Sequence, residues 1–115
     1  MTTRPSTVES YIAQFALDIQ QRLYEIRTIG FDIFAVAEET IYHRVPTFMI
    51  DGRDVLSYGA YKDHITLYIG YDMADFLKNV YPQYRYTKSA LQIPHGDGFP
   101  GRLIQEVCWL LRVAK

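Results

Sequence analysis

The chain is poor in the features that usually announce a chemistry. It holds one cysteine, Cys108, which excludes an intrachain disulfide and a cysteine-based zinc site. Neither charge dominates: 12 basic side chains stand against 13 acidic ones, for a formal charge of −1. Phosphate neutralisation needs a basic excess, so a dedicated nucleic-acid binder is not expected. No apolar run approaches the roughly 18 residues of a membrane span, so no membrane partner is expected either. The opening Met1-Thr2-Thr3-Arg4-Pro5-Ser6 lacks the apolar core of a signal peptide, and a cytoplasmic protein is the expectation. There are no repeats, no low-complexity tracts and no internal linker, which leaves one domain over residues 1–115. Ser57, Ser89 and Cys108 sit in no recognised nucleophile motif such as Gly-x-Ser-x-Gly, so enzymatic activity is not expected. Cys108, between Val107 and Trp109, reads as a small buried hydrophobe.

What the chain does have is aromatic surface. Aromatic residues make up 15% of it, and 10 of them are tyrosines. Tyrosine joins a large apolar body to a polar tip, and it suits half-buried pleated surfaces and binding sites.

The apolar periodicity divides the chain. Ser6 and Glu9 have capping-box spacing, and Val8, Tyr11, Ile12, Phe15, Ile19, Leu23 and Ile26 then recur at helical steps. The spacing predicts one long helix running past Gly30. From Glu39 the pattern turns β-branched and aromatic. Thr40–Val45 reads as a strand closed by Pro46, followed by Thr47–Ile50 and the hairpin signal Asp51-Gly52. Val55–Tyr61 and His64–Ile69 continue a meander around Lys62-Asp63. A short helix follows from Met73 to about Val80, with Met73, Phe76, Leu77 and Val80 inward and Pro82 stopping it. Tyr84–Ser89 reads as a loop, Ala90–Ile93 as a last strand, and Pro100 as the first turn of a closing helix. The fold class is α+β: an antiparallel meander of four to five strands, with the long N-terminal helix and the C-terminal helix packed on one face.

In this order of segments the chain resembles the YdhG-like (DUF1801) family. The resemblance rests on Thr7-Val8-Glu9-Ser10-Tyr11-Ile12, Glu38-Glu39-Thr40-Ile41, Pro46-Thr47-Phe48 and Asp51-Gly52-Arg53. Lys62-Asp63-His64-Ile65-Thr66-Leu67-Tyr68, Tyr84–Pro94 and Leu103-Ile104 extend it over nearly the whole length. The chain departs from that pattern at three places: His43-Arg44 stands where the family has Tyr-Gly, Thr87-Lys88-Ser89 where it has Ser-Lys-Gly, and Ile69 where a proline is common. The resemblance implies a frataxin-like fold and an iron-chaperone-like role, with iron as the ligand.

Iron handling would draw on surface carboxylates as hard oxygen donors, and Glu38, Glu39, Asp51 and Asp54 form the densest acidic region. The histidines His43, His64 and His95 are too scattered to suggest a site by spacing. A second class is a site for a small anion. Phe76 to Gly96 contains no Asp or Glu but does contain Lys78, Arg85 and Lys88, interleaved with Tyr81, Tyr84 and Tyr86. Along His64–Ile69, alternation puts His64, Thr66 and Tyr68 on one face and Ile65, Leu67 and Ile69 on the other. Lys62, His64, Tyr68 and Lys88 are therefore the candidate ligand-binding residues. A third class is protein interaction: Val107–Leu111 is apolar around more than one helix face, so Trp109 either closes the core or meets a partner, a homodimer through this helix included.

Overall fold

Thr7 and Ser10 start the chain's first helix by capping each other. A computed structural model describes residues 6–114, and the segment read above as lacking an apolar leader, residues 1–5, lies outside them. The Thr7 hydroxyl accepts from the Ser10 amide and the Ser10 hydroxyl accepts from the Thr7 amide. This reciprocal box stands one residue later than the Ser6/Glu9 pairing. The helix it opens, α1 (Val8–Ile12), is short. The expectation of one unbroken helix is corrected here: the chain leaves helical geometry after Ala13 and re-enters at Ala16, whose backbone is extended, to form α2 (Leu17–Ile33). Neither proline nor glycine marks the break. Tertiary packing is the physical reason: Val8, Tyr11 and Ile12 are buried, and α1 packs on the sheet as well as on α2. Gly30 lies inside α2, as its spacing suggests.

Six antiparallel strands follow, not four to five. They are β1 (Glu38–Tyr42), β2 (Val45–Ile50), β3 (Arg53–Ala60), β4 (His64–Tyr68), β5 (Arg85–Tyr86) and β6 (Ala90–Pro94). Their order across the sheet is β1-β2-β3-β4-β6-β5. The additional strand is β5, two residues of the segment read as a loop, which pair with Leu91 and Gln92. A second correction concerns His43 and Arg44. They are not strand residues but the hairpin turn between β1 and β2, with φ of 52° and 71°. Pro46 does not close a strand; it is the second residue of β2 and pairs with Ile41. Asp51 and Gly52 turn β2 into β3 with φ of 52° and 77°, the positive pair that a two-residue hairpin requires.

Helices α2, α3 (Tyr71–Val80) and α4 (Gly101–Val113) pack on one face of this sheet. That face carries Phe48, Leu56, Tyr58, Ile65, Leu67, Leu91 and Ile93, all in the core. The α3 helix meets the core through Ala74 and Leu77. Phe76 and Val80, read as inward, are instead exposed, because one short helix at the end of a sheet buries only a narrow stripe. Trp109, on α4, is 51% exposed: it does not close the core, a task that Leu103, Ile104, Val107, Cys108 and Leu111 share.

Candidate functional site

The opposite face of the sheet carries the alternate residues of the strands, and α1 contributes Tyr11 to it. Cross-strand register places Thr47 beside Ser57, Ser57 beside Tyr68, Gly59 beside Thr66, and Thr66 beside Gln92. Partners in an antiparallel ladder share a face, so these residues form a polar floor of hydroxyl groups. Thr47 and Ser57 hydrogen bond to each other at 2.8 Å. Both are buried, as is Thr66.

Gly59 is the centre of this floor. A β-carbon there would stand 2.8 Å from Val45 Cγ1, 3.1 Å from the Tyr11 hydroxyl and 3.4 Å from the Tyr61 hydroxyl. Glycine inside a strand commonly marks such a close approach. Tyr61 in turn meets Tyr68 hydroxyl to hydroxyl, the two rings reaching across the face from either end of β4. Tyr11 arrives from α1. Its hydroxyl accepts the Ala60 amide at 3.0 Å, three residues beyond the part of β3 that pairs with β2. Two phenol hydroxyls therefore border one missing side chain, and a third, that of Tyr68, bonds to one of them. Burial, joined by the bond to Tyr61, pushes the Tyr68 hydroxyl well above its ordinary range, and burial also raises that of Tyr11. Both stay protonated, hence donors, at neutral pH.

His64 lies against this cluster, its ring 5.5 Å from that of Tyr61. Next to it, the His95 ring Nε2 meets the Tyr61 carbonyl at 2.7 Å. Of the four residues proposed as a joint anion site, His64 and Tyr68 share the face. The two lysines do not meet. Pro94 is opposite His64 and Ala90 opposite Tyr68, so Lys62 adjoins one end of β4 and Lys88 the other. The strand between them spans about 13 Å at ~3.3 Å per residue. Tyr11, Tyr61 and Gly59 were not singled out from the sequence, although a lone glycine between Tyr58 and Tyr61 in a strand pattern was the available signal.

The four carboxylates read as an iron region are placed apart. Glu39 faces the helices, with only 3% of its side chain exposed, and accepts from Arg27 Nε at 2.6 Å and from the Tyr58 hydroxyl. Glu38 and Asp54 sit on the strands either side of Met49, about 10 Å apart across two ladder spacings. Asp51 is in the hairpin turn. Among the described residues no three His, Cys, Asp or Glu side chains are grouped to hold a metal ion. No helix among them is long and apolar enough to cross a membrane.

No family profile matches the chain, and no curated protein does. A solved structure does. The fold is similar to the crystal structure of a DUF1801-family protein, YdhG from Bacillus subtilis, with a TM-score of 0.81 and 17% sequence identity. The match covers 94% of this chain and 89% of that one. The resemblance drawn from the sequence segments thus reaches the whole architecture: this chain has the fold of a DUF1801-family protein.

Proposed function

We propose that the chain is a small-ligand-binding protein, and that the sheet face around Gly59 takes an oxyanion such as a carboxylate or phosphoryl group. The observation that carries this reading is a surplus of hydroxyl donors at one point. Tyr11 and Tyr61 bring two O–H groups to Gly59 and Tyr68 adds a third through Tyr61, and the contact between Tyr61 and Tyr68 uses one of the three protons. Tyr11 acts only as an acceptor among the described residues. Two protons are therefore left without an acceptor among the described residues, and such a surplus of donors suits an oxyanion. Lys62 and His64, at the Tyr61 end of β4, add donors of positive or neutral character. Iron handling, brought by the resemblance, would have to draw on Glu38, Asp51 and Asp54, since Glu39 is already held by Arg27 and Tyr58.

Calorimetric titration with phosphate, sulfate and acetate tests the proposal, with Tyr61→Phe and Tyr68→Phe as variants. Each phenylalanine keeps the ring and removes the hydroxyl. Saturable binding by the parent chain, weakened about tenfold in the double variant, is the expected result. The reading fails if none of the three anions binds, or if the double variant binds as well as the parent. A parallel ferrous iron titration separates the two classes: saturable binding lost in Glu38→Gln and Asp54→Asn would favour iron.

A further inference from the structure

On the helical side of the molecule, away from Gly59, a surface groove of about 700 Å³ runs between the segment after α3 and the outer side of α4. Its volume lies within the range of small-molecule sites. Tyr81, Tyr84 and Trp109 give it aromatic walls, while Arg102 and Glu106 give it one charge of each sign.

Those two charges do not neutralise each other. Arg102 and Glu106 stand one helical turn apart, yet among the described residues no salt bridge joins them; both of the ion pairs found involve Arg27. Two features of the sequence account for this. An acid placed four residues before a base is the better helical order, and here the base comes first. Glu106 is also engaged from the side, because the Tyr81 hydroxyl donates to its Oε2. Tyr81 belongs to the C-terminal end of α3, so this bond draws the carboxylate across the groove and away from Arg102. The guanidinium is left with five donors and no acceptor among the described residues.

The indole offers a further contact. Half-exposed Trp109 already attracts a cation, with the Arg112 guanidinium carbon 5.2 Å from its ring centre. Aromatic walls beside a carboxylate are the arrangement that recognises an organic ammonium group.

We propose that this groove binds a small zwitterion of the betaine or amino-acid class. Its ammonium group would lie against Glu106 and the Trp109 and Tyr84 rings, and its carboxylate would accept from Arg102. A simple cation leaves Arg102 without an acceptor, and a simple anion meets Glu106 repulsively. Only a molecule carrying both signs a few ångströms apart satisfies both ends. This site is separate from the hydroxyl cluster at Gly59 and stands or falls independently of it.

The chain has a single tryptophan, so its fluorescence reports on this groove and not on the sheet face. The probes are glycine betaine, tetramethylammonium chloride and sodium acetate, followed by Trp109 emission and by calorimetry. A saturable response to betaine is expected, with each half-ligand at least about tenfold weaker. Arg102→Gln and Glu106→Gln should each weaken betaine by a similar factor, whereas the Tyr61→Phe/Tyr68→Phe variant should bind it as the parent does. Both substituted side chains are on the surface, and thermal melts confirm that the variants are folded. The proposal is overturned if betaine gives no saturable signal by either method, if tetramethylammonium binds as tightly as betaine, or if either charge variant retains parental affinity. Emission that shifts with protein concentration alone would assign the groove to a second copy of the chain, and would overturn it too.

Discussion

The ring of Phe48 occupies the space into which a side chain on Gly30 would grow. A β-carbon at Gly30 would stand 2.3 Å from Phe48 Cζ and 2.4 Å from Cε2. Phe48 cannot retreat easily. It is fully buried and surrounded by Phe31, Phe34 and Tyr58. The helix and the sheet touch here through the one residue that has nothing to interpose.

That contact sets two effects against each other in Gly30→Ala. Alanine favours the helix by about 1 kcal/mol over glycine, while overpacking a core costs roughly 1–3 kcal/mol. The contact distance decides in favour of the clash. Urea denaturation should show a net loss of about 1–2 kcal/mol, and a stabilised variant would count against this account. Phe48→Leu in the same chain should recover part of the loss, because it removes the atoms that the new methyl meets.

Arg27 makes two ion pairs of very different worth. Its Nε meets Glu39, whose side chain is 3% exposed, whereas its pair with Glu9 meets a side chain 64% exposed. Breaking a buried pair strands a charge and costs about 3–5 kcal/mol; an exposed one is worth about 0–1 kcal/mol. Arg27 keeps partial access to water, which brings the first figure toward its lower end. Glu39→Gln should therefore lower stability by about 3 kcal/mol and Glu9→Gln by far less, both read from denaturant midpoints. Equal effects would mean that water reaches Glu39. Tyr58→Phe, which removes the second donor to Glu39, should cost about 1–2 kcal/mol.

The hairpin turn at His43 and Arg44 is strained, since side chains in the left-handed region cost roughly 1–2 kcal/mol each. Both residues adopt it, with φ of 52° and 71°. Arg44→Gly should raise the thermal midpoint, with a gain of about 0.5–1 kcal/mol after the added freedom of the unfolded chain is subtracted. Adding His43→Asn should extend the gain, because Asn-Gly suits this turn. A lower midpoint for Arg44→Gly would show that the arginine makes a contact worth more than the strain.

These turns also show what could be read in advance. Asp51-Gly52 was legible because its composition states its geometry: both residues tolerate positive φ, and both adopt it. His43-Arg44 adopts the same kind of turn without the composition, so alternation alone carried the strand through it. The break between α1 and α2 was illegible for a related reason. It follows from where Tyr11 and Ile12 are buried, a long-range preference that no local residue encodes. The candidate site was half legible. His64 and Tyr68 lie on one strand, and period-two alternation sorted them correctly. Tyr11 reaches Ala60 from 49 residues away, and only the folded chain brings its hydroxyl to Tyr61. Lys62 and Lys88 failed to meet because nearness to opposite ends of paired strands is invisible without the register.

Cys108 gives a pH dependence with a definite sign. It is fully buried on α4, and burial pushes its thiol from an ordinary value of 9.0 up to about 12. The folded state therefore holds the proton more tightly than the unfolded chain. Below pH 9 both states carry it, and the group leaves stability unchanged with pH. Above that value the unfolded chain releases its proton first and unfolding is favoured, until the folded thiol also titrates near pH 12. The raised tyrosine hydroxyl of Tyr58, displaced chiefly by burial and then by the Glu39 charge, acts in the same direction from about pH 10. Urea midpoints should hold between pH 7 and 8.5 and fall steeply by pH 10.5, with Cys108 contributing roughly 1–2 kcal/mol of the loss. Cys108→Ala will be less stable at pH 7, since it opens a small cavity, but its decline with pH should be shallower than that of the parent. The same burial should leave the thiol inert to alkylating reagents at pH 8 until the chain unfolds. Parallel pH curves for the two proteins, or rapid alkylation of the native parent, would place Cys108 in contact with solvent and defeat the prediction.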